Sequence, residues 1–369
     1  MFKKFVFLLL ALNLVNVGFA QGFELELLSN WKREGLPIVR NQIYNDVWGW
    51  EDENGREYVI FGSLDSIYFV EITFPEEPIL RDVKAGRSDT CIHRDFKTYK
   101  NYCYAVADEG SSSLQIFDMS YLPDSVHKVY DDKSQVGRAH NIFIEKDNLY
   151  IATNSHVQYG RIALSALDIG KNPEKPSAIQ HLQGPIVNDE RLFRSVHDVF
   201  VKDDLMYCSV GNEGMYLYEI DKEKKHFELV STLTTYPSQG YNHSSWSTAD
   251  GNLLVMADET HGTNLKLVDV SNPLEMEVLD EFGSRSELGT IPHNPFILGD
   301  KCFVAYYHEG LVVYDISDPN NVVMADSFDT YPYGADTLFD GYEGCWGAYP
   351  YFSSGTIVAS DMMNGLFIF

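Results

Sequence analysis

Five segments decide the fold: His93-Arg94-Asp95-Phe96, His140-Asn141-Ile142-Phe143, His197-Asp198-Val199-Phe200, His243-Ser244-Ser245-Trp246 and His293-Asn294-Pro295-Phe296. Each places a histidine three residues before an aromatic residue. In four of them a glutamate follows the histidine by sixteen residues: Glu109, Glu213, Glu259 and Glu309. In the remaining one that position is His156. Five of the eleven histidines therefore hold one register position, which marks an internal repeat.

Outward from each histidine the same order of elements recurs. A β-rich run ends in small residues, as in Tyr104–Ala107 and Leu254–Ala257. A polar turn follows, and then a third run with period-two alternation, as in Leu114–Asp118, Met215–Glu219, Leu265–Asp269 and Leu311–Asp315. A turn with proline (Ser271–Pro273, Ser317–Pro319) leads to a more variable fourth strand. Short β-branched and aromatic runs bounded by Gly, Pro, Asn and Asp predict an all-β structure. Two further units keep the frame without the histidine, one opening at Asn45–Trp48 and one at Trp346–Tyr349. The count is seven, and four-stranded units at this period are the blades of a β-propeller. The last unit stops in its third strand at Phe369, while Phe23–Ser29 resembles the outer strand Phe227–Ser231. The N-terminal strand is therefore expected to complete the seventh blade, closing the ring and removing an exposed edge.

Leu311–Asp315 and Leu265–Asp269 resemble the LVIVD repeat. The chain over roughly residues 24–369, with His93–Phe96, His197–Phe200, Asn242–Trp246, Pro292–Phe296 and Trp346–Pro350, resembles the choice-of-anchor B family. That resemblance implies an exported bacterial propeller, usually tethered by a variable C-terminal anchor, and implies no settled activity. Nothing follows the seventh unit here, so release or periplasmic residence is the expectation.

Residues 1–20 read as an export signal: Lys3 and Lys4, an apolar run over Phe5–Val15, and small residues at Gly18-Phe19-Ala20. One domain over 21–369 follows. No later run approaches the ~20 apolar residues of a transmembrane helix. The formal charge of −26 disfavours nucleic acid and favours solubility and cation attraction. Of five cysteines, Cys103, Cys208 and Cys302 fall in expected buried strands, and a Cys91–Cys345 bridge is an open option. No phosphate-binding glycine loop or nucleophile elbow is present.

In a propeller the first strand of each blade lines the channel, so His93, His140, His197, His243 and His293 should converge at one mouth, with Asn45 and Trp346 filling the other places. Glu109, Glu213, Glu259 and Glu309, in the turns after the second strands, should reach the same mouth, and Asp65, Asp108, Asp258 and Asp361 lie near it in sequence. Imidazoles backed by carboxylates are what a divalent or transition metal site uses. Three readings stay open: a binding scaffold whose mouth holds a metal ion or small ligand, a metal-dependent enzyme on the same histidines, and a structural propeller that works through its rim. Calcium held by the turn acids is a weaker option, since no EF-hand or RTX-type spacing is present. His261 and His308, in the same turns, are expected to be exposed. His127, His181 and His226 carry no register. The Tyr-rich stretch Asp329–Glu343 is a candidate contact for glycan or protein, and the chain is expected to be a monomer.

Overall fold

The computed structural model describes residues 23–221, 226–332, 338–339 and 341–369. Residues 1–20, read above as an export signal, lie outside them, as does Tyr333. Seven four-stranded antiparallel sheets follow one another along the chain. Their first strands are Tyr44–Glu51, Arg94–Tyr99, Asn141–Glu145, Asp198–Lys202, Asn242–Ser247, Asn294–Leu298 and Cys345–Tyr349. We number the blades 1 to 7 in that order. Consecutive first strands pack on one another, and blade 1 also packs on blade 7, so the circle closes.

Blade packing follows from strand alternation. In the second strand of blade 1, Glu57–Ser63, every residue is buried. Val59 and Phe61 face blade 7, against Val358, Leu366 and Ile368. Tyr58 and Ile60 face blade 2, against Phe96, Cys103 and Phe117. Successive side chains point to opposite faces of a strand, and in a ring both faces are interfaces. Each such side chain contributes ~1.5–3 kcal/mol on burial. The fourth strands form the outer edge of each blade and stay half-buried or exposed over most of their length, as in His127–Asp132 and Glu277–Phe282.

The N-terminal strand closes the ring as expected, with shifted bounds. Ser29–Trp31 pairs with Gly365–Ile368 and supplies the outer strand of blade 7. The residues just before it, expected to be the strand itself, run mostly along the seam with blade 6. Phe23 packs edge-on against Phe303, and the Leu25 amide donates to Asp326 Oδ2 at 2.6 Å. Only at Leu28 does the backbone reach Ile368 O, at 2.8 Å. Apolar anchoring at Phe23 and Leu25 outcompetes ladder pairing there, and Trp31 fixes the register against Phe61 and Tyr68 of blade 1.

All five cysteines are buried free thiols, and Cys91 and Cys345 form no bridge. Among the described residues no helix is long and apolar enough to cross a membrane.

Candidate functional site

Each ring histidine sits at the entry to a first strand, where pairing with the second strand begins. The amides of His197 and His293 donate to Ser209 O (2.8 Å) and Ala305 O (3.1 Å). His243 occupies a register shift between Asn242 and Ser244. This shared backbone position turns all five imidazoles to one end of the channel.

There they form a closed circle of aromatic rings. Centroid separations run 5.5 Å for His93–His140, 4.2 Å for His140–His197, 4.3 Å for His197–His243 and 4.4 Å for His243–His293. Trp346 of blade 7 completes it, 4.5 Å from His293 and 5.3 Å from His93. Asn45 takes no place in the circle. Its side chain turns into the joint between blades 1 and 2 and donates to Ser63 O and Cys91 O at 3.1 and 3.2 Å. A side chain at Gly62 would collide with it, since a Cβ there would lie 2.0 Å from Asn45 Oδ1. The indole of Trp346 spans the gap, so six rings serve seven blades.

Hydrogen bonds fix which nitrogens face inward. His140 Nδ1 donates to Asp108 Oδ2 at 2.6 Å, leaving Nε2 with a free lone pair. His293 Nδ1 donates to Trp346 O at 2.5 Å. The Nδ1 atoms of His197 and His243 make no hydrogen bond of normal geometry. The Nε2 atoms of His243 and His293 converge on one carboxylate, Glu259, at 3.8 and 3.9 Å. Tyr307 holds that carboxylate by donating to Oε1 at 2.5 Å. Two overlapping donor sets result, His140/His197/His243 and His243/Glu259/His293, each with its ligand atoms within 4.8 Å of one another. A third set, Cys91/Asp108/Glu109, lies beside His93.

Electrostatics divide the circle. Burial, reinforced by the neighbouring imidazoles, pushes His197 and His243 well below the usual histidine range. Burial lowers His293 to about 3 against the opposing bond to Trp346 O. These three rings are neutral at physiological pH. Burial also opposes charge on His93, but Asp108 and Glu109 outweigh it and raise its pKa to about 9. Asp108 spans His140 and His93, the latter with Nδ1 at 3.4 Å from Oδ1. Its burial would favour the protonated acid, yet these two rings hold its carboxyl well below the usual range. Burial raises Glu259.

The glutamates at the repeat offset diverge. Glu259 reaches two ring histidines, and Glu109 lies 3.7 Å from His93 Nδ1. Glu309 instead pairs with Arg285 at 2.7 Å and accepts from Ser284 at 3.0 Å. Glu213 is exposed. Of the nearby aspartates only Asp108 meets the circle: Asp258 pairs with the buried Lys266 at 2.8 Å, Asp361 accepts from Thr330, and Asp65 accepts from Ser63. His308, expected at the surface, is buried and stacks on Phe339 at 4.3 Å. His261 is half-buried beside Tyr342. His156 lies off the circle, against Tyr159 and His181.

Below the circle the channel holds a small cavity of about 60 Å³, enough for one or two waters. Asp46, Asp95, Lys97 and Asp198 line it. Lys97 donates to Asp95 at 2.7 Å and sits 4.1 Å over the ring of Trp48. Burial, then repulsion from Asp95, raises Asp46 and Asp198 well above the usual carboxylate range. The aromatics of the repeat motif close the far side, with Phe143–Phe200, Phe200–Trp246 and Trp246–Phe296 at 5.0–5.2 Å. This polar layer has a sequence signal that the repeat pattern masked: charged residues inside strands that are otherwise apolar. The mouth side is open. One pocket of about 400 Å³ is lined by His197, Tyr241, Glu259 and His261, and another of about 560 Å³ by His140, His197, Arg138, Arg161 and Tyr241.

The LVIVD repeat family model matches residues 296–330. The chain is a β-propeller that carries an LVIVD repeat. Comparison with curated proteins gives no match. Among solved structures it is similar to the periplasmic gluconolactonase PpgL of Pseudomonas aeruginosa (TM-score 0.61, 12% identity, 89% of this chain and 92% of that one). It is also similar to a putative 6-phosphogluconolactonase from Bacteroides fragilis (TM-score 0.58, 11% identity, 89% and 93%). A third is the β-propeller domain of Cps50 (Swd1) from Myceliophteria thermophila (TM-score 0.60, 9% identity, 90% and 97%). At these identities the likeness is one of fold.

Proposed function

We propose that the channel mouth binds a transition metal ion through His140, His197 and His243, with His293 and Glu259 adjoining, and that the ion presents an open position to a small ligand. The observation that carries this is the convergence of three imidazoles, two of them held neutral by burial, with the third oriented by Asp108. Neutral imidazole is the ligating form, and a carboxylate on the far nitrogen is the usual orienting partner. Metal–nitrogen bonds of ~2.0–2.1 Å require the rings to draw in somewhat. His93 lies outside the first donor set, and its protonated ring balances Asp108 and Glu109. Glu213 and Glu309 have no part in holding the ion.

This reading makes the protein a binding scaffold. It fits an exported, monomeric member of the choice-of-anchor B family, and the resemblance of residues 1–20 to an export signal supports a periplasmic or extracellular address. The test is the metal content of untagged protein by elemental analysis. One equivalent of zinc, iron or copper is expected, with loss in His243→Ala at unchanged fold. Metal-free protein, with the variant equally stable and equally unresponsive to added zinc, would sink the proposal.

A further inference from the structure

The larger mouth pocket brings two arginines to one cavity of a strongly acidic chain. The chain has a formal net charge of −26, and three arginines elsewhere pair with acids: Arg81 with Glu71, Arg87 with Asp131, Arg285 with Glu309. Arg138 and Arg161 are exposed, line the pocket of about 560 Å³, and form no ion pair with any described carboxylate. Two cations left unpaired beside one cavity, in a protein with acids to spare, point to a ligand that supplies the negative charge.

Their backbone placement supports the same conclusion. The Ser155 amide donates to Arg138 O at 2.8 Å, and Ser155 is also the register partner of Arg161 across the blade 3 hairpin. Ser155 therefore lies against both arginine backbones, bonded to Arg138 and opposite Arg161 in the hairpin. Gln183 Nε2 adds a bond to Arg161 O at 3.3 Å. The remaining lining is polar: Ser155, Ser195 and the Tyr241 ring, which meets His197 edge-on at 5.2 Å. Tyr241 is itself positioned by Gly211, whose φ of +60° and close approach (a Cβ there would lie 2.5 Å from the Tyr241 ring) admit no side chain. Asp108 also borders the pocket, but His93 and His140 take up its charge. The second mouth pocket has Glu259 and neither lysine nor arginine in its lining.

We propose that this pocket binds a small organic acid, its carboxylate or phosphate group held between Arg138 and Arg161 and its body directed toward His140 and His197. Planar guanidinium forks match both oxyanions, and the cavity is of the size that takes metabolite-scale ligands. The inference names the ligand class of the metal-binding mouth and rests on that reading for the contact with the ion, though the arginine clamp stands without it.

The test uses untagged protein, stripped with chelator or reloaded with Zn²⁺, titrated calorimetrically with malonate and, separately, with inorganic phosphate. At least one of the two should bind, the stronger identifying the anionic group, and binding should weaken with salt. Arg138→Gln and Arg161→Gln should each weaken it ~10-fold or more and the double variant ~100-fold, as expected for charge-assisted hydrogen bonds. Zinc content and melting temperature should stay unchanged in these exposed variants. Arginine-dependent binding in protein that takes up no zinc on reloading would support the clamp while refuting the metal reading. Wild-type protein that binds neither anion at millimolar concentration, or a double variant that binds as wild type does, overturns the proposal.

Discussion

Trp31→Ala probes the closure of the ring at a single side chain. Trp31 is the last residue of the three-residue strand that completes blade 7, yet its ring packs on blade 1, 6.1 Å from Phe61 and 5.5 Å from Tyr68. Truncating a fully buried tryptophan costs ~3–5 kcal/mol. Trp31 is half-buried, so about half of that, ~1.5–2.5 kcal/mol, is its share, and two aromatic contacts at the low end of ~0.5–1.5 kcal/mol each bring the total to about 3 kcal/mol. At ~2.1 cal/mol/K per residue, a folded chain of this length has an unfolding entropy of about 0.7 kcal/mol/K, so the melting midpoint should fall by about 4 °C. Differential scanning calorimetry, with Ile38→Ala as a control at a 59% exposed position, measures this. The control should leave the midpoint in place. A Trp31→Ala midpoint within about 1 °C of the parent would refute the claim that the N-terminal strand locks blades 7 and 1 together.

Two further outcomes are expected. Asp108→Asn keeps the shape of the side chain beside His140 but removes its charge, so zinc affinity measured by competition with a chromogenic chelator should drop ~10–100-fold; an unchanged affinity would remove Asp108 from the site. Asp361 is buried, and burial outweighs its bonds to Met363, Asn364 and Thr330 to raise its pKa to about 6. Because the folded state binds the proton more tightly than the unfolded chain, this group's contribution to stability is greatest at low pH. It is lost as pH rises from about 4 to 6, a change of about 2–3 kcal/mol. Urea unfolding of Asp361→Asn against the parent at pH 4.5 and 7 should show the parent relatively weaker at pH 7, and parallel curves would contradict the assignment.

Much of the architecture was legible because the repeat writes it more than once. A histidine three residues before an aromatic ring counts five blades, and Asn45 and Trp346 extend the count to seven. The same copying misleads about the site. Sixteen residues after His293, Glu309 has the right spacing, but Arg285 on the preceding connection captures it. Glu213 has the spacing and faces solvent. Asn45 holds the histidine position and turns away, because the Cys91 and Ser63 carbonyls offer its amide partners inside the blade 1–2 joint. The partner of His140 is Asp108, one residue before the repeated glutamate and on the neighbouring blade. No spacing along the chain encodes a contact between blades.

The order of strands, the closure by the N-terminal segment and the collection of imidazoles at one mouth followed from the sequence by itself, because strand alternation and a fixed repeat frame constrain each blade locally. Tertiary structure alone decided which carboxylates meet those imidazoles, that His197, His243 and His293 are neutral while His93 is charged, and that Arg138 and Arg161 flank the pocket beside them. Those properties depend on burial and on distances across the ring, where residues far apart in sequence come within a few ångströms and set each other's charge.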